Sequence, residues 1–217
     1  MNSINAVLFD LDGTLLDTAN DLGLALNHLL KDLQLPPIPF EKLRPAAGSG
    51  SRGLLKLALN INPDDSRYPE LSKKFNDLYQ DYLIETTQLF PGIENTLDFL
   101  QQKSIPWGIV TNKPAKYTDP LLKHLQIDKR AVCIISGDTL PYSKPHPEPI
   151  LHACRLLKKN PENCLYIGDS LIDIKACKAA GSPSLGALYG YIPEEEDPLT
   201  WGADGYIHHA ADIIRWI

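Results

Sequence analysis

The sequence predicts an α/β protein: a Rossmann-like core with a parallel sheet flanked by helices, plus a helical cap inserted after the first strand. Three observations predict it. Short, continuously apolar runs recur along the chain and alternate with stretches of helical periodicity. The alternation is interrupted once, between about residue 17 and residue 84, by a segment with helical stripes and no strand pattern. Polar residues follow several of the apolar runs, and in a parallel sheet those positions share one edge.

The runs expected to form strands are Ala6 to Phe9, Pro106 to Val110, Val132 to Ile135, Leu165 to Ile167 and Ser184 to Leu188. They are apolar without alternation, as strands covered on both faces must be. Helical spacing is carried by Ile93, Leu97 and Leu100, by Leu121, Leu122 and Leu125, and by Ile150, Leu151, Cys154 and Leu157. In the insert, Leu22, Leu26, Leu29, Leu30 and Leu33 form one stripe and Leu71, Phe75, Leu78 and Tyr82 another. The expected organisation is a core of residues 1–16 and 85–217 and a cap of residues 17–84. A cap that leaves the core just after the first strand hangs over the strand ends, where a lid can exclude water.

Composition narrows the function. A chain of 217 residues, 43% hydrophobic and 22% charged, buries a sizeable core. Its net charge of -6 opposes a partner read through a phosphate backbone, so nucleic acid is not expected. Cys133, Cys154, Cys164 and Cys177 form no CxxC pair, and no export signal or membrane-length apolar stretch is present, so the expectation is a reduced, cytoplasmic protein with no membrane partner. It is expected to act as a monomer or homodimer. The six histidines lack metal-ligand spacing, and His208 and His209 read as surface residues. Glu194 to Asp197 read as a solvated loop, and Trp107, Trp201 and Trp216 as packing groups.

The chemistry gathers at the strand ends. Asp10 and Asp12 follow the first run, Thr111 and Asn112 the second, Lys144 the third by a short loop, and Asp169 the fourth, with Asp173 four residues on. Several carboxylates in one crevice repel one another unless a cation balances them. Oxygen ligands without His or Cys favour Mg²⁺, with Asp10, Asp12, Asp169 and Asp173 as its candidates. A carboxylate there can also be a nucleophile, the role given to Asp10, while Asp12 is placed to move the proton. Thr111, Asn112 and Lys144 supply donors and positive charge for phosphoryl oxygens. Each has a plainer alternative: acidic pairs and Thr-Asn cap helices, Lys144 suits a surface, and Asp173 suits a helix N-terminus.

DLDGTLLDT, IVTNKP, SKPHPEP and IGDSLID resemble the four ordered motifs of the haloacid dehalogenase superfamily, in its phosphatase branch with a cap after the first motif. The resemblance implies Asp10 as nucleophile and Mg²⁺ ligand, and Asp12 as acid/base whose carbonyl also meets the metal. It implies Asp169 as a metal ligand, Asp173 as a supporting carboxylate, and Thr111, Asn112 and Lys144 as phosphate-binding residues. Members that cleave carbon–halogen bonds typically lack the second aspartate, so Asp12 implies a phosphatase, with a small phosphorylated metabolite as its partner; sugar-phosphate mutases also have it. A receiver-like phospho-acceptor domain is opposed by the insert that directly follows Asp10 and Asp12. The stretch AAGSGSRG, Ala46 to Gly53, is similar to a cap loop of phosphoglycolate phosphatases, with Arg52 expected to face a substrate carboxylate. SKPHPEPILHAC and YGYIPEEEDPLTWGAD are similar to phosphatases of N-acetylmuramic acid 6-phosphate in cell-wall recycling.

Overall fold

The computed structural model describes residues 3–217. The chain runs through β1 (Ala6–Phe9) and β2 (Leu16–Asp17) into four helices, α1 (Ala19–Asp32), α2 (Phe40–Ala47), α3 (Gly50–Leu59) and α4 (Tyr68–Tyr82). It returns through β3 (Gln88–Leu89), α5 (Ile93–Gln102), β4 (Trp107–Val110), α6 (Ala115–His124), β5 (Cys133–Ile135) and α7 (Glu148–Leu157). The last elements are β6 (Cys164–Gly168), α8 (Leu171–Ala180), β7 (Ser184–Ala187) and β8 (Gly205–Ile207).

Six strands form one parallel sheet in the order β5-β4-β1-β6-β7-β8. The first strand lies in the middle because later strands add on both of its sides. The switch in direction puts the carboxyl ends of β1, β4 and β6 side by side, the place where such sheets hold ligands. Every residue of these three strands is buried, so their polar followers are fixed by a rigid frame. The sheet's edge strand β8 has no counterpart among the expected runs. Its three residues, Gly-Tyr-Ile, make too short an apolar pattern to read.

The insert is helical, as expected. On α1, Leu22, Leu26, Leu29 and Leu30 are buried, and Leu33 falls just past the helix end, 36% exposed. On α4 the buried centre is Phe75 and Tyr79, one turn apart, with Leu71, Leu78 and Tyr82 only half-buried beside them. The glycine-rich stretch Ala46 to Gly53 is not an extended loop. It is the junction of α2 and α3, with only Gly48 and Ser49 between the helices. Gly53 lies inside α3, where a Cβ would stand 2.6 Å from the Ala46 carbonyl, so the glycine permits two helix ends to meet.

The insert is fastened at both of its ends. β2 and β3, its two connections, pair antiparallel. Asp21, fully buried on α1, accepts hydrogen bonds from the backbone N–H and hydroxyl groups of Thr86 and Thr87 at 2.6–3.2 Å. Four donors on one carboxylate satisfy a charge that burial alone makes costly. Arg44 on α2 grips Asp17 with one guanidinium nitrogen at 2.8 and 2.9 Å and lies over the rings of Phe40, Phe90 and Tyr191.

Candidate active site

β1 ends at Phe9 and the chain crosses the sheet edge with Asp10 and Asp12 before reversing at Gly13. Gly13 has φ +79°, and a Cβ there would meet the Asp169 carboxylate at 2.0 Å. The turn therefore needs glycine twice, for its left-handed backbone and for its closeness to the carboxylate that follows β6. Thr14, the next residue, donates its hydroxyl to Asp169 at 3.3 Å.

Asp10, Asp169 and Asp173 converge: each offers a carboxylate oxygen within 4.8 Å of the others. Lys144 stands among them, its Nζ 2.8 Å from Asp10 Oδ1 and 2.6 Å from Asp173 Oδ1, and it also donates to the Tyr166 hydroxyl at 2.7 Å. At 4% exposure Lys144 is no surface residue. Burial alone would lower its pKa, but Asp10 and Asp173 outweigh burial and raise it, so the ammonium form is held. Asp173 is fully buried and closes a capping box with Ser170 at the start of α8 while it binds Lys144. It thus takes the plain helix role and the site role together.

Burial pushes Asp10 up to about 7; Lys144 opposes that rise and Asp173 adds to it. Asp169 is raised well above the carboxylate range, again chiefly by burial and then by Asp10 and Asp173. Three clustered carboxyl groups share a single ammonium, so full ionisation leaves two negative charges unbalanced. A divalent cation matches that deficit, and the donor set, all oxygen, suits a hard ion. The residues present fit Mg²⁺.

Asp12 turns to a different partner. Its Oδ1 accepts from Thr18 Oγ1 at 2.6 Å, and Lys113 Nζ bonds both of its oxygens, at 2.9 and 3.1 Å. Thr111 is buried, with its hydroxyl accepting from the Lys113 N–H at 3.2 Å. Asn112 clamps the backbone of Lys144: its Nδ2 donates to the Lys144 carbonyl at 2.8 Å and its Oδ1 accepts from the Lys144 N–H at 2.9 Å. The amide thereby sets the loop that delivers the ammonium. Arg52 is exposed on α3, and among the described residues no hydrogen bond or ion pair ties it to the cluster.

Lys113 and Tyr191, each bonded to an aspartate of the site, are among the residues that escape the reading of strand ends. Lys113 follows Asn112 within TNKP, and its place inside a motif at a strand end is the signal that could have found it. Tyr191 has no such signal, because it arrives by a loop after β7. Its N–H donates to Asp169 Oδ2 at 2.7 Å, while its hydroxyl accepts from the N–H groups of Thr18 and Ala19 and donates to Asp17. One residue thus caps α1 with its side chain and ties the cap connection to an acidic residue of the core edge through its backbone.

The model of the haloacid dehalogenase-like hydrolase family matches residues 7–187. The chain belongs to that family. A phosphoglycolate phosphatase of Xanthomonas campestris is 43% identical over 202 residues, covering 92% of this chain and 90% of the relative. An N-acetylmuramic acid 6-phosphate phosphatase of Pseudomonas aeruginosa is 35% identical over 212 residues, covering 97% and 93%. The crystal structure of a predicted phosphoglycolate phosphatase from Haemophilus somnus 129pt superposes with a TM-score of 0.86 at 30% identity, covering 100% of this chain and 99% of that one. The shared architecture includes the helical insert. No helix among the described residues is long and apolar enough to cross a membrane.

Proposed function

We propose that this haloacid dehalogenase-type phosphatase hydrolyses a small phosphomonoester bearing a carboxylate, through an aspartyl phosphate on Asp10. The observation that carries the reading is the convergence of Asp10, Asp169, Asp173 and Lys144 at one buried point, with Asp12 beside it and a helical insert above. The Leu11 N–H and Lys144 both hold Asp10 Oδ1, at 2.7 and 2.8 Å, which orients Oδ2 as the oxygen with no donor from the described residues.

An Asp10 oxygen bonds to phosphorus as the bond from phosphorus to the ester oxygen breaks, and Asp12 gives its proton to the departing alcohol. Asp12 then takes a proton from a water whose oxygen bonds to phosphorus. The bond to Asp10 breaks, inorganic phosphate leaves, and both side chains are restored. Lys144 holds the position and charge of Asp10 throughout, and the Thr111 hydroxyl is a donor for a phosphoryl oxygen. A bound Mg²⁺ would be held by Asp10, Asp169, Asp173 and the Asp12 carbonyl, and it supplies compensation for the charge on the phosphoryl oxygens.

Phosphoglycolate and N-acetylmuramic acid 6-phosphate both pair a phosphate with a carboxylate. The 43% identity to a phosphoglycolate phosphatase supports the first, and the 35% identity along 97% of the chain supports the second. Phosphate release, measured as kcat/KM for both esters with Mg²⁺ and with EDTA, separates them. A Mg²⁺-dependent preference for phosphoglycolate is the result expected of the main reading. The reverse preference assigns the cell-wall sugar, and turnover of neither overturns both and favours a sugar-phosphate mutase.

A further inference from the structure

Asp12 is gripped from both ends of the cap. Thr18, the residue before α1, bonds its Oδ1 directly. From the other end the grip passes through a buried pair. Tyr79 lies on α4, the last helix of the insert, and is 2% exposed; its hydroxyl accepts a hydrogen bond from Lys113 Nζ at 2.8 Å. The same ammonium bonds both oxygens of Asp12 and stands 4.7 Å from the centre of the Tyr79 ring. Lys113 belongs to the core, in the turn between β4 and α6, so the hydrogen bond it donates to Tyr79 crosses from core to cap. Tyr79 is itself fixed: its ring stacks on Phe75, packs against Tyr117 at 5.3 Å, and the Tyr117 hydroxyl donates to the Asn76 carbonyl of α4.

A lysine reaches its partner on a flexible four-carbon stem, and holding that stem in one arrangement costs rotamer entropy. Tyr79 limits that freedom with one hydrogen bond and one aromatic face. A cap that swings away takes Tyr79 with it and leaves Lys113 without either, whereas Lys144, held by Tyr166 and Asp173 of the core, loses nothing. We infer that Tyr79 is a positioning residue: with the cap closed, it sets Lys113, and through Lys113 the carboxyl group of Asp12, in the orientation that serves the departing alcohol. The inference rests on the phosphatase reading above and adds to it a device that ties proton transfer to cap closure.

Tyr79→Phe keeps the ring and removes only the hydroxyl. The test compares kcat/KM, which reports the steps up to departure of the alcohol, for an alkyl phosphate and for para-nitrophenyl phosphate, whose leaving group departs without being protonated. Because positioned proton transfer is worth on the order of 10²–10⁴ in rate, the variant is expected to lose about tenfold on the alkyl ester and less than about twofold on the aryl ester. In a Lys113→Met background the same substitution is expected to add no further selectivity. Equal losses on the two esters, no loss, or a fresh loss in the Lys113→Met background overturns the inference, since a merely structural role is blind to the leaving group. Wild-type turnover of both esters in Mg²⁺ is the control; its absence overturns the phosphatase reading and the inference with it.

Discussion

Two buried lysines stand at the same sheet edge, and each holds one of the two aspartates that follow β1. Lys144 binds Asp10, Asp173 and a tyrosine hydroxyl, all from the core. Lys113 binds Asp12 and a tyrosine hydroxyl that belongs to the cap. The chemistry of the two pairs is alike; their dependence on the cap is not. The frame for the proposed nucleophile is complete within the rigid sheet. The frame for the proposed proton carrier is complete only when α4 is in place. On the proposed mechanism, attack and protonation therefore come under separate control.

The comparison breaks most directly at the lysines. Lys144→Met leaves Asp10 and Asp173 without their ammonium, and removing one member of a buried ion pair costs roughly 3–5 kcal/mol. Lys113→Met strands one carboxylate, Asp12, whose side chain is 20% exposed and still bonded by Thr18. The expected destabilisation is about 1–3 kcal/mol, that of a lost hydrogen-bond partner. Urea unfolding of the two variants in EDTA checks the order, and a Lys113 variant as unstable as the Lys144 variant would erase the distinction.

A pH titration sharpens it. Without metal, burial holds Asp10 of the folded protein at about 7, above the ordinary carboxylate value of 3.8. Between those values the folded state keeps a proton that the unfolded chain has released, so the stability contributed by this group falls as pH rises through that window. Wild-type protein in EDTA is therefore expected to lose more stability between about pH 4 and about pH 7 than Asp10→Asn, and Mg²⁺ is expected to reduce the difference. Parallel curves for the two proteins would place the raised group elsewhere.

The smallest effect is expected at Arg52. It is exposed on α3, and exposed charges are screened, so Arg52→Ala is expected to change kcat/KM for a carboxylate-bearing ester by no more than about threefold, with no change for an aryl phosphate. A larger, carboxylate-selective loss would bring Arg52 to the substrate.

Much of the core was legible because its signals are local. Ala6 to Phe9 is a strand where four apolar residues precede Asp10, the expected runs at Pro106, Val132 and Ser184 each contain an observed strand, and the run at Leu165 lies within one that is a residue longer at each end. The acidic and basic residues at their ends meet because a parallel sheet brings its carboxyl ends together. Asn112 was legible as part of the site, but its grip on the Lys144 backbone was not, because that pairing spans 32 residues. Tyr191 reaches Asp169 through its backbone N–H, a contact that leaves no mark on residue type. Asp21 carries no local signal of its burial, because its partners Thr86 and Thr87 lie 65 and 66 residues on. The cap helices were visible as stripes, yet which face covers the site depends on packing, so Tyr79 was hidden between Leu78 and the half-buried Tyr82.

The central claim is that phosphorus passes through Asp10, and it is tested by acid-quenching a single turnover of phosphoglycolate or N-acetylmuramic acid 6-phosphate in Mg²⁺ and mapping phosphorylated peptides by mass spectrometry. The account predicts a transient phosphoryl group on the peptide containing Val7 to Thr18, localised to Asp10 and absent from Asp10→Asn, which releases no phosphate. Steady turnover by Asp10→Asn, or a phosphoryl group carried on another residue, would contradict it.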